Sequence, residues 1–460
     1  MSKTQPARGM RDFLPADIRK REYVIGIIKE VYESYGFEPL ETPAVENLET
    51  LTGKYGEEGN QLIFKILKRG EKLEHSTSEK DLSDLALRYD LTVPLARVVA
   101  QHKNDLPKFF KRYQIQPVWR ADRPARGRFR EFYQCDVDAI GSSSMIVEAE
   151  LCAAVCEILE RLGFEDFIIR VNHRKVLTGL LETSGIEQNK SSDALIALDK
   201  LEKIGFQSVH DEFSQRNIPE EASHKFLHII ERGVDLSVSI KKQNESSEKN
   251  ENFNEKMYEL LDNFMDNHEK GQEGLRDIQK VLGMSKDIPT ILDITLARGL
   301  TYYTGLIFEV VLTDGDFRGS IGGGGRYDGL IGMFGKEQIP ACGFSLGLER
   351  ILVVMNERKM FPPELETNSA DVLVTIWNEE SVGESLKLAS ELRKEKLRVL
   401  VYPEADKLAK QFKYAAQINA SFVCVLGETE LAENKVTLKN MRTGEQETID
   451  RDSISEKIKI

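Results

Sequence analysis

The most constraining feature of this sequence is a pair of strand-like runs separated by a short, arginine-rich loop. The runs RYQIQPVW and FREFYQCDVDAI are rich in aromatic and β-branched residues, and the segment RADRPARGR between them contains Pro124 and Gly127. This pattern predicts a long antiparallel hairpin. Side chains alternate between the two faces of a strand. One face of the second strand therefore holds Arg130, Phe132, Gln134, Asp136 and Asp138. That face is polar enough to form a site.

The hairpin loop contains five arginines and no lysine within eleven residues, in a chain whose formal net charge is -13. These are Arg120, Arg123, Arg126, Arg128 and Arg130. A guanidinium fork matches phosphate oxygens with two hydrogen bonds, which an ammonium group cannot do. Phosphate binding is therefore the more specific hypothesis, and a solvated charge run that keeps a hairpin tip soluble is the alternative.

Composition and cysteine usage exclude several classes of protein. With 460 residues and 40% hydrophobic content, the chain is long enough for about two or three domains. The first residues, MSKTQPARGMRDF, lack the apolar run of a signal peptide, and no stretch of about 18 to 20 apolar residues is present. We therefore expect a soluble, cytoplasmic protein without membrane contact. Five scattered cysteines without a CxxC pair, and no HExxH, predict neither disulfides nor a metal site made of His or Cys.

Periodicity divides the rest of the chain into segments of different kinds. An apolar pattern predicts a helix over 16–35, and FEPLETPAVE, which two prolines interrupt, is typical of an edge strand or of a strand at an interface. Residues 187–285 have a helical, highly charged pattern, which predicts an inserted helical domain. The segment ERKMFPPELETNSA has no periodicity. Strands that alternate with helices follow it, a pattern that predicts a small parallel α/β domain.

Two further motifs leave alternatives open. GGGGRYDGL has neither the dinucleotide fingerprint nor the GK[ST] of a P-loop, so taken alone it is more typical of a glycine turn between strands. LARGLTYYTG places Arg298 in a mostly apolar context, where the charge is either paired or awaits an anion. The adjacent Tyr302 and Tyr303 are more typical of core packing. Carboxylates such as Asp90 and Asp138 near a bound phosphate would suit attack of a substrate oxygen on an activated phosphorus.

A series of ordered motifs resembles those of a known family. RYQIQPVWRADRPARGRFREFYQCDVDAIG is similar to the second signature motif of class II aminoacyl-tRNA synthetases, and PACGFSLGLERI is similar to the third. YGFEPLETPAVE resembles the first, which in this class helps to form a dimer interface. LRYDLTVP, LARGLTYYTG and GGGGRYDGL resemble the histidine-specific signatures of the histidyl-tRNA synthetase family. The resemblance extends over nearly the whole chain.

This resemblance implies an α/β (α+β) fold built on the class II antiparallel sheet flanked by helices. The implied parts are a catalytic domain in two pieces, 1–186 and 286–362, a helical insertion over 187–285, and a small parallel α/β anticodon-binding domain over 369–460. The resemblance also implies a homodimer that uses ATP and Mg²⁺ to join L-histidine to tRNA(His).

The resemblance further implies which residues bind ATP and tRNA. Arg120 would contact the α-phosphate and the histidine carboxylate region, while Arg128 and Arg350 would hold the outer phosphates and the adenine. Arg298 would act with Arg120 at the reacting phosphorus, where loss of one such donor typically costs about 2.7 to 4 kcal/mol in the barrier. The loop-tip residues that would approach the acceptor end of tRNA are Arg123 and Arg126.

A set of polar residues matches the histidine-binding positions of the family. Those around the α-ammonium group are Asp90, Thr92 and Gln134. Those around the imidazole are Asp138, Tyr303 and Tyr327, and Tyr302 belongs to the same histidine-binding set. A site that hydrogen-bonds both ring nitrogens leaves buried groups unpaired with any other side chain, so it can reject other amino acids strongly.

One position departs from the family pattern, and some interpretations stay open. Where the family commonly has RGLDYY, this chain has Thr301, so an acidic neighbour that could orient Arg298 is missing. A paralogue that senses histidine or uncharged tRNA is an alternative, which the intact arginines disfavour. A class II synthetase for another amino acid is a second alternative. In the last domain, Lys407, Lys410 and Lys413 face either tRNA or water.

Overall fold

The computed structural model describes residues 4–75, 78, 82–241, 247–299, 303–315, 317, 319–335, 337–365 and 370–458. Two positions singled out in the sequence, Thr301 and Tyr302, lie outside these residues. The chain forms two compact units, Met1–Met360 and Phe361–Ile460. Their boundary falls inside the aperiodic segment ERKMFPPELETNSA.

Both units contain helices, which are numbered in chain order over the part of the chain that the structure describes. In the first unit they are α1 Pro15–Ser34, α2 Leu48–Leu51, α3 Gly56–Leu62, α4 Glu71–Glu74, α5 Thr92–Gln101, α6 Ile146–Arg161, α7 Arg174–Thr183, α8 Gln188–Leu198, α9 Leu201–Gln215, α10 Glu220–Lys241, α11 Ser247–Phe264, α12 Glu269–Met284 and α13 Leu348–Glu357. In the second unit they are α14 Val382–Lys394, α15 Leu408–Gln417, α16 Glu428–Glu433 and α17 Ile454–Ile458. Among the described residues, no helix combines the length and apolar character needed to cross a membrane.

The strands are numbered in the same way. In the first unit they are β1 Glu38–Pro39, β2 Val45–Asn47, β3 Lys65–Leu67, β4 Ser83–Leu87, β5 Phe110–Trp119, β6 Glu131–Ile140, β7 Phe167–His173, β8 Thr290–Leu292, β9 Leu306–Leu312, β10 Ser320–Arg326 and β11 Ala341–Gly347. In the second unit they are β12 Val372–Val374, β13 Val399–Val401, β14 Phe422–Val425, β15 Lys435–Asn440 and β16 Gln446–Asp450.

One large sheet dominates the first unit. Its strand order is β1-β5-β6-β11-β10-β9-β7-β8, with parallel pairs at the two edges, β1 with β5 and β7 with β8, and antiparallel pairs between them. The predicted hairpin is confirmed, since β5 pairs with β6 over all ten residues of each strand. Pro39 of the first motif also lies at the sheet edge, in β1. An antiparallel sheet flanked by helices is the fold class that the sequence predicted.

Helix α1 has the boundaries that its sequence pattern indicates. Pro15 occupies the first turn, where its missing N–H has no partner to lose, and Gly36 after the helix adopts φ +75°, a conformation that glycine tolerates. The apolar face buries Val24, Ile28 and Val31. The helix predicted over 16–35 is therefore confirmed to within one residue at each end.

Strand β10 corrects the expectation of a glycine turn in GGGGRYDGL. The four glycines 322–325 lie in the middle of the large sheet, with β9 on one side and β11 on the other. A Cβ on Gly324 would lie 2.1 Å from the Gly343 carbonyl oxygen, and one on Gly325 would lie 2.6 Å from the Leu306 carbonyl oxygen. At these two positions glycine is needed because the neighbouring backbone approaches too closely for a side chain.

The second unit contains a five-stranded sheet with the order β13-β12-β14-β15-β16. Its first three strands are parallel, as the alternation of strands and helices predicted. Two antiparallel strands, β15 and β16, extend this sheet and were not foreseen. The sheet is therefore mixed. It separates two apolar clusters, one around Val372 and Leu388 and the other around Leu373 and Ala415.

Candidate active site

A cavity of about 310 Å³ lies over strands β6, β10 and β11 of the large sheet. The glycines 322 and 323 contribute no side chains, so they leave open space above β10. Five residues predicted as site residues line this cavity together. They are Arg120, Arg128, Gln134, Arg298 and Arg350. Four guanidinium groups around one polar cavity form a site suited to an anion with several charged oxygens.

Arg120 is held in a fixed orientation at the cavity wall. Its Nε donates a hydrogen bond to the Tyr89 carbonyl oxygen at 3.0 Å. Its guanidinium carbon also lies 4.3 Å from the centre of the Tyr89 ring and 5.2 Å from that of Phe132. Because the group is packed against two aromatic rings, it needs little reorganisation to meet a charged ligand.

Arg350 is partly buried among other cations. Its Nη1 donates to the Ser320 carbonyl oxygen, which fixes the side chain on β10. Burial lowers the pKa of Arg350, and the nearby charges of Arg128 and Arg298 lower it further. A guanidinium stays protonated in proteins, so the mutual repulsion is relieved when an anion enters the cavity.

Arg298 is paired in this structure, which resolves an alternative that the sequence left open. Its Nη1 forms an ion pair with Glu309 on β9 and donates a hydrogen bond to the Ser320 hydroxyl at 3.1 Å. Its Nε lies 3.6 Å from the Asp199 carboxylate, which follows α8. Glu309 on the next strand and Asp199, about a hundred residues earlier in the chain, thus supply acidic neighbours for Arg298.

Next to the cavity, strand β6 continues into a buried polar cluster. Asp138 is only 2% exposed, and its Oδ2 lies 2.8 Å from Nη2 of Arg112, which is fully buried. The Tyr327 hydroxyl donates a hydrogen bond to Asp138 Oδ1. Gly343 lies directly opposite Asp138 on β11, where a Cβ would lie 1.9 Å from Asp138 Oδ1. The carboxylate is therefore fixed on three sides.

Asp90 approaches the same region from the loop before α5. Its Oδ1 accepts hydrogen bonds from the Tyr55 hydroxyl at 2.9 Å and from the Val93 N–H at 3.0 Å. Burial raises the pKa of Asp90, and these hydrogen bonds and the charge of Arg120 oppose that rise. Thr92 is half-buried at the first position of α5.

Gln134 and Tyr303 complete the part of the predicted histidine set that the structure describes. Gln134 Nε2 donates to the Ser345 hydroxyl at 3.2 Å, whereas its Oε1 is buried and has no hydrogen-bond partner among the described residues. A buried acceptor of this kind is costly unless a ligand donates to it. Tyr303 packs against the cluster of buried residues that includes Tyr327.

The loop tip is arranged differently from the cavity wall. Arg126 is exposed and forms a bidentate ion pair with Glu357 at the end of α13, and it also lies 5.6 Å from the centre of the Phe317 ring. Arg123 is exposed as well. Neither residue contributes to the lining of the cavity as the structure describes it.

Several residues with direct contacts at the site were missed in the sequence. Arg112 is the clearest, because it pairs with Asp138 across the β5/β6 hairpin. The hairpin register would have revealed it, since two strands that fold about the loop centre bring these opposite charges together. Glu309 and Tyr55 had no such signal, because their contacts with Arg298 and Asp90 depend on how separate elements pack and not on a strand register.

Comparison with known proteins shows the same two-part organisation. Residues 9–351 match the family profile described as "Histidyl-tRNA synthetase", and residues 371–459 match the one described as "Anticodon binding domain". The chain is 41% identical to the Christiangramia forsetii protein named histidine--tRNA ligase, with 98% of both chains covered. It is 40% identical to the Phocaeicola vulgatus protein of the same name, with 97% of both covered.

A solved structure has the same fold over the full length. The crystal structure of histidyl-tRNA synthetase from Nostoc sp. PCC 7120 superposes with a TM-score of 0.79 at 32% identity, covering 100% of this chain and 99% of that one. The motifs, the sheet topology and the similarity to relatives agree. This chain belongs to the histidyl-tRNA synthetase family.

Proposed function

We propose that this chain activates L-histidine with ATP to form histidyl-adenylate and then transfers the histidyl group to the terminal adenosine of tRNA(His). Membership of the histidine--tRNA ligase family implies ATP use. The observation that supports specific roles for residues is the adjacency of two environments. A cavity with four arginines lies at one end of the polar face of β6, and a buried carboxylate cluster lies further along the same face.

The arginine-lined cavity suits ATP and the reacting phosphorus. Arg120 contacts the α-phosphate, while Arg128 and Arg350 hold the outer phosphates and the adenine. A carboxylate oxygen of histidine attacks the α-phosphorus in line, the bond to the bridging oxygen breaks, and pyrophosphate leaves with its electron pair. Arg120 and Arg298 stabilise the charge that accumulates on the phosphoryl oxygens, and their fixed positions minimise reorganisation.

The pairing of Arg298 is compatible with this role. Glu309 is 4% exposed in its side chain and pairs with Arg298, and the Ser320 hydroxyl accepts from the same guanidinium nitrogen. Arg298 itself keeps 47% of its side chain exposed, so part of the group faces the cavity. The carboxylate on one side fixes the guanidinium while phosphate oxygens approach it from the other side.

The polar face of β6 suits histidine. The unpartnered Oε1 of Gln134 accepts a hydrogen bond from the α-ammonium group, and Asp90 provides a compensating negative charge with Thr92 beside it. Asp138 accepts a ring N–H, and the hydroxyls of the tyrosines at 303 and 327 contact the imidazole. Tyr302 belongs to the same proposed set.

Mg²⁺ is the metal that the proposed reaction calls for. It prefers carboxylate oxygens together with substrate phosphates. Asp122 and Glu349 are carboxylates that line the cavity, so its donor set fits this ion. Bound there, Mg²⁺ would neutralise phosphate charge. Both oxygens of Glu349 accept from the Tyr133 N–H, at 3.0 and 3.1 Å, which holds the carboxylate towards the hairpin.

The domain plan follows from the same proposal. Residues 1–186 and 286–362 form the catalytic domain, 187–285 form a helical insertion, and 369–460 bind the anticodon. Arg123 and Arg126 contact the acceptor end of tRNA once Arg126 leaves Glu357. The protein acts as a homodimer in the cytoplasm, and the exposed edge strand β1 belongs to the motif that serves dimerisation in this class.

Pyrophosphate exchange into ATP tests the proposal. The purified protein is assayed with each of the twenty amino acids separately, without tRNA. We expect exchange with histidine alone. Exchange with another amino acid would reassign the specificity, and no exchange with any of them despite histidine binding would indicate a regulatory paralogue.

Arg298→Gln tests the catalytic assignment. We expect kcat for histidine-dependent exchange to fall by about 10² to 10³, with little change in either KM, because the lost donor acts mainly in the transition state. Arg276→Gln, at an exposed position of α12, is the matched control. Equal activity of the two variants would contradict the assignment.

Charge reversal in the second unit tests tRNA contact. Lys410 is exposed on α15 and pairs at 2.7 Å with Asp406, which precedes the helix. If the lysines on this helix bind phosphates, reversal to Glu lowers tRNA affinity and reduces the slope of log K against log salt by about one per contact. Unchanged affinity across the salt series would remove these residues from the tRNA interface. The set to be reversed is Lys407, Lys410 and Lys413.

A further inference from the structure

Three ionisable side chains are buried together on the hairpin next to the proposed histidine site. Arg112 is fully buried, and Asp136 and Asp138 are each 2% exposed. Arg112 on β5 lies directly opposite Asp138 on β6, and its Nη2 approaches Asp138 Oδ2 to 2.8 Å. Asp136 Oδ1 has no hydrogen-bond partner among the described residues, and Asp138 Oδ2, although it forms the ion pair with Arg112, is not aligned for a hydrogen bond with it. One guanidinium is therefore the nearby cation for two carboxyl groups, and the ion pair that it forms is with Asp138.

Ionisation of both carboxyl groups in this buried cluster would be energetically unfavourable. If both carboxyls were ionised, one buried negative charge would lack a counterion, and burial strongly disfavours that state. Ionisation of the first carboxyl raises the cost of ionising the second, so the pair shares one proton over an intermediate range of pH. The direct contact with Arg112 favours charge on Asp138, which leaves the proton on Asp136.

We propose that Arg112 is a positioning residue for imidazole recognition, which keeps Asp138 ionised and fixed while Asp136 takes the shared proton. This inference rests on the proposed function, because Asp138 is there the acceptor for a ring N–H of histidine. A carboxylate accepts that hydrogen bond strongly, whereas a protonated acid would offer its own donor to the ring. Arg112 thus sets which form of the side chain the pocket selects.

The surrounding contacts support a fixed, ionised Asp138. The Tyr327 hydroxyl donates to Oδ1, so a second donor favours the charged form. Arg112 is itself oriented by Gln114 Oε1 at 3.2 Å and by the Leu91 carbonyl oxygen at 3.4 Å. Neither acceptor is charged, so the cation remains available to the aspartates.

The pKa is raised for both carboxyls, so the division of charge between them rests on the ion pair of Asp138 with Arg112. Burial raises the pKa of both carboxyls, and the charge of Arg112 lowers both. The pKa of Asp136 is raised to about 7, with the charge of Asp138 contributing to the rise and the Ser345 hydroxyl opposing it.

Other ionisable groups also face this cluster. Tyr32 on α1, Tyr327 after β10 and Cys342 on β11 have pKa values raised well above their usual range by burial, so they stay neutral. Asp90, before α5, is a third buried acid whose charge raises the pKa of Asp136. Its own carboxylate is stabilised by Tyr55 and the Val93 N–H.

The test measures the pH dependence of histidine-dependent pyrophosphate exchange, from about pH 5.5 to about pH 9. In Arg112→Gln we expect the acid limb of kcat/KM for histidine to move up by about one pH unit or more, because an adjacent opposite charge shifts a carboxyl pKa by roughly 1 to 3 units. At pH 7, kcat/KM for histidine should fall about tenfold or more, while KM for ATP stays within about twofold. Titration of free histidine affects all variants equally.

Three further variants separate charge from shape. Arg112→Lys restores the cation and should return the limb towards that of the unaltered protein. Adding Asp136→Asn to Arg112→Gln removes the competing acid and should lower the limb again. Arg358→Gln breaks a bidentate ion pair with Asp166 elsewhere in the first unit and should leave the limb unchanged.

A spectroscopic readout keeps the inference testable if Arg112→Gln does not fold. The infrared signal of protonated carboxyls near neutral pH should be smaller in Asp136→Asn than in the unaltered protein, by the contribution of one carboxyl. No difference between the two spectra would overturn the inference. So would equal loss of activity by Arg112→Gln at every pH without rescue by lysine. Failure of the unaltered protein to exchange with histidine would instead overturn the proposed function.

Discussion

Gly343→Ala should disable histidine recognition while leaving the ATP site intact. A Cβ at this position would lie 1.9 Å from Asp138 Oδ1, 2.6 Å from its Cγ and 3.0 Å from the Val137 carbonyl oxygen. To reach ordinary van der Waals separation near 3.4 Å, the carboxylate oxygen would have to retreat by about 1.5 Å. Alanine is otherwise acceptable in a β-strand, so this overlap determines the outcome.

The retreat would break the contacts that fix the carboxylate. A shift of this size takes Asp138 out of contact with Arg112, now 2.8 Å away, or with the Tyr327 hydroxyl. Separating a buried ion pair costs about 3 to 5 kcal/mol. If the misplaced carboxylate no longer receives the imidazole, kcat/KM for histidine falls by about a hundredfold or more, because about 1.4 kcal/mol corresponds to a factor of ten.

The assay is steady-state pyrophosphate exchange, with histidine and ATP varied independently, alongside a thermal unfolding curve for each variant. We expect kcat/KM for histidine to fall and KM for ATP to stay unchanged. Gly329→Ala is the control, since its Cβ would meet only Thr304 Cγ2, at 4.0 Å. A folded Gly343→Ala protein with normal kcat/KM for histidine would refute this reasoning.

Two predictions concern stability. Burial lowers the pKa of His173, which caps α7, to about 4, so this imidazole stabilises the fold above its unfolded pKa near 6.5, and that stability is lost as the pH falls towards 4. His173→Asn keeps a capping acceptor and should reduce the pH 7 to pH 4 difference in unfolding free energy by about 3 kcal/mol; an unchanged difference would argue against a neutral buried His173. Arg326 forms a bidentate pair with the fully buried Glu148, at 2.6 and 2.8 Å. Arg326→Met alone should cost about 3 to 5 kcal/mol in urea unfolding, and adding Glu148→Leu should recover most of it; equal stability of the single and double variants would contradict this.

The sequence predicted elements whose signals are local. The hairpin followed from two aromatic-rich runs with a proline and glycine loop, and α1 followed from apolar spacing between Pro15 and Gly36. The face of β6 that bears Gln134 and Asp138 followed from parity alone. In each case the interactions that determine the structure lie within one element or between adjacent elements, so the local sequence pattern is enough to predict it.

What the sequence did not predict depends on distant segments. The glycines of β10 suggested a turn because the motif does not contain the reason for them. That reason is the backbones of β9 and β11 on either side. The partners of Arg298 come from β9 and from the segment after α8. Likewise, β15 and β16 join the second sheet as antiparallel strands, and no local signal distinguishes that arrangement from a further parallel strand.

Strand β10 also limits how the specificity of this protein could be changed. At Gly322, Gly324 and Gly325 a Cβ would lie less than 3.0 Å from a neighbouring atom, so a substitution there cannot add a contact to a ligand without displacing an adjacent strand or side chain. A library of variants designed for activity on another amino acid should therefore leave these positions unchanged. A new amino-acid preference would have to come from substitutions on β6 and at the residues around the edge of the cavity. The centre of the sheet therefore tolerates little change, and changes in specificity are limited to the residues at the sides of the site.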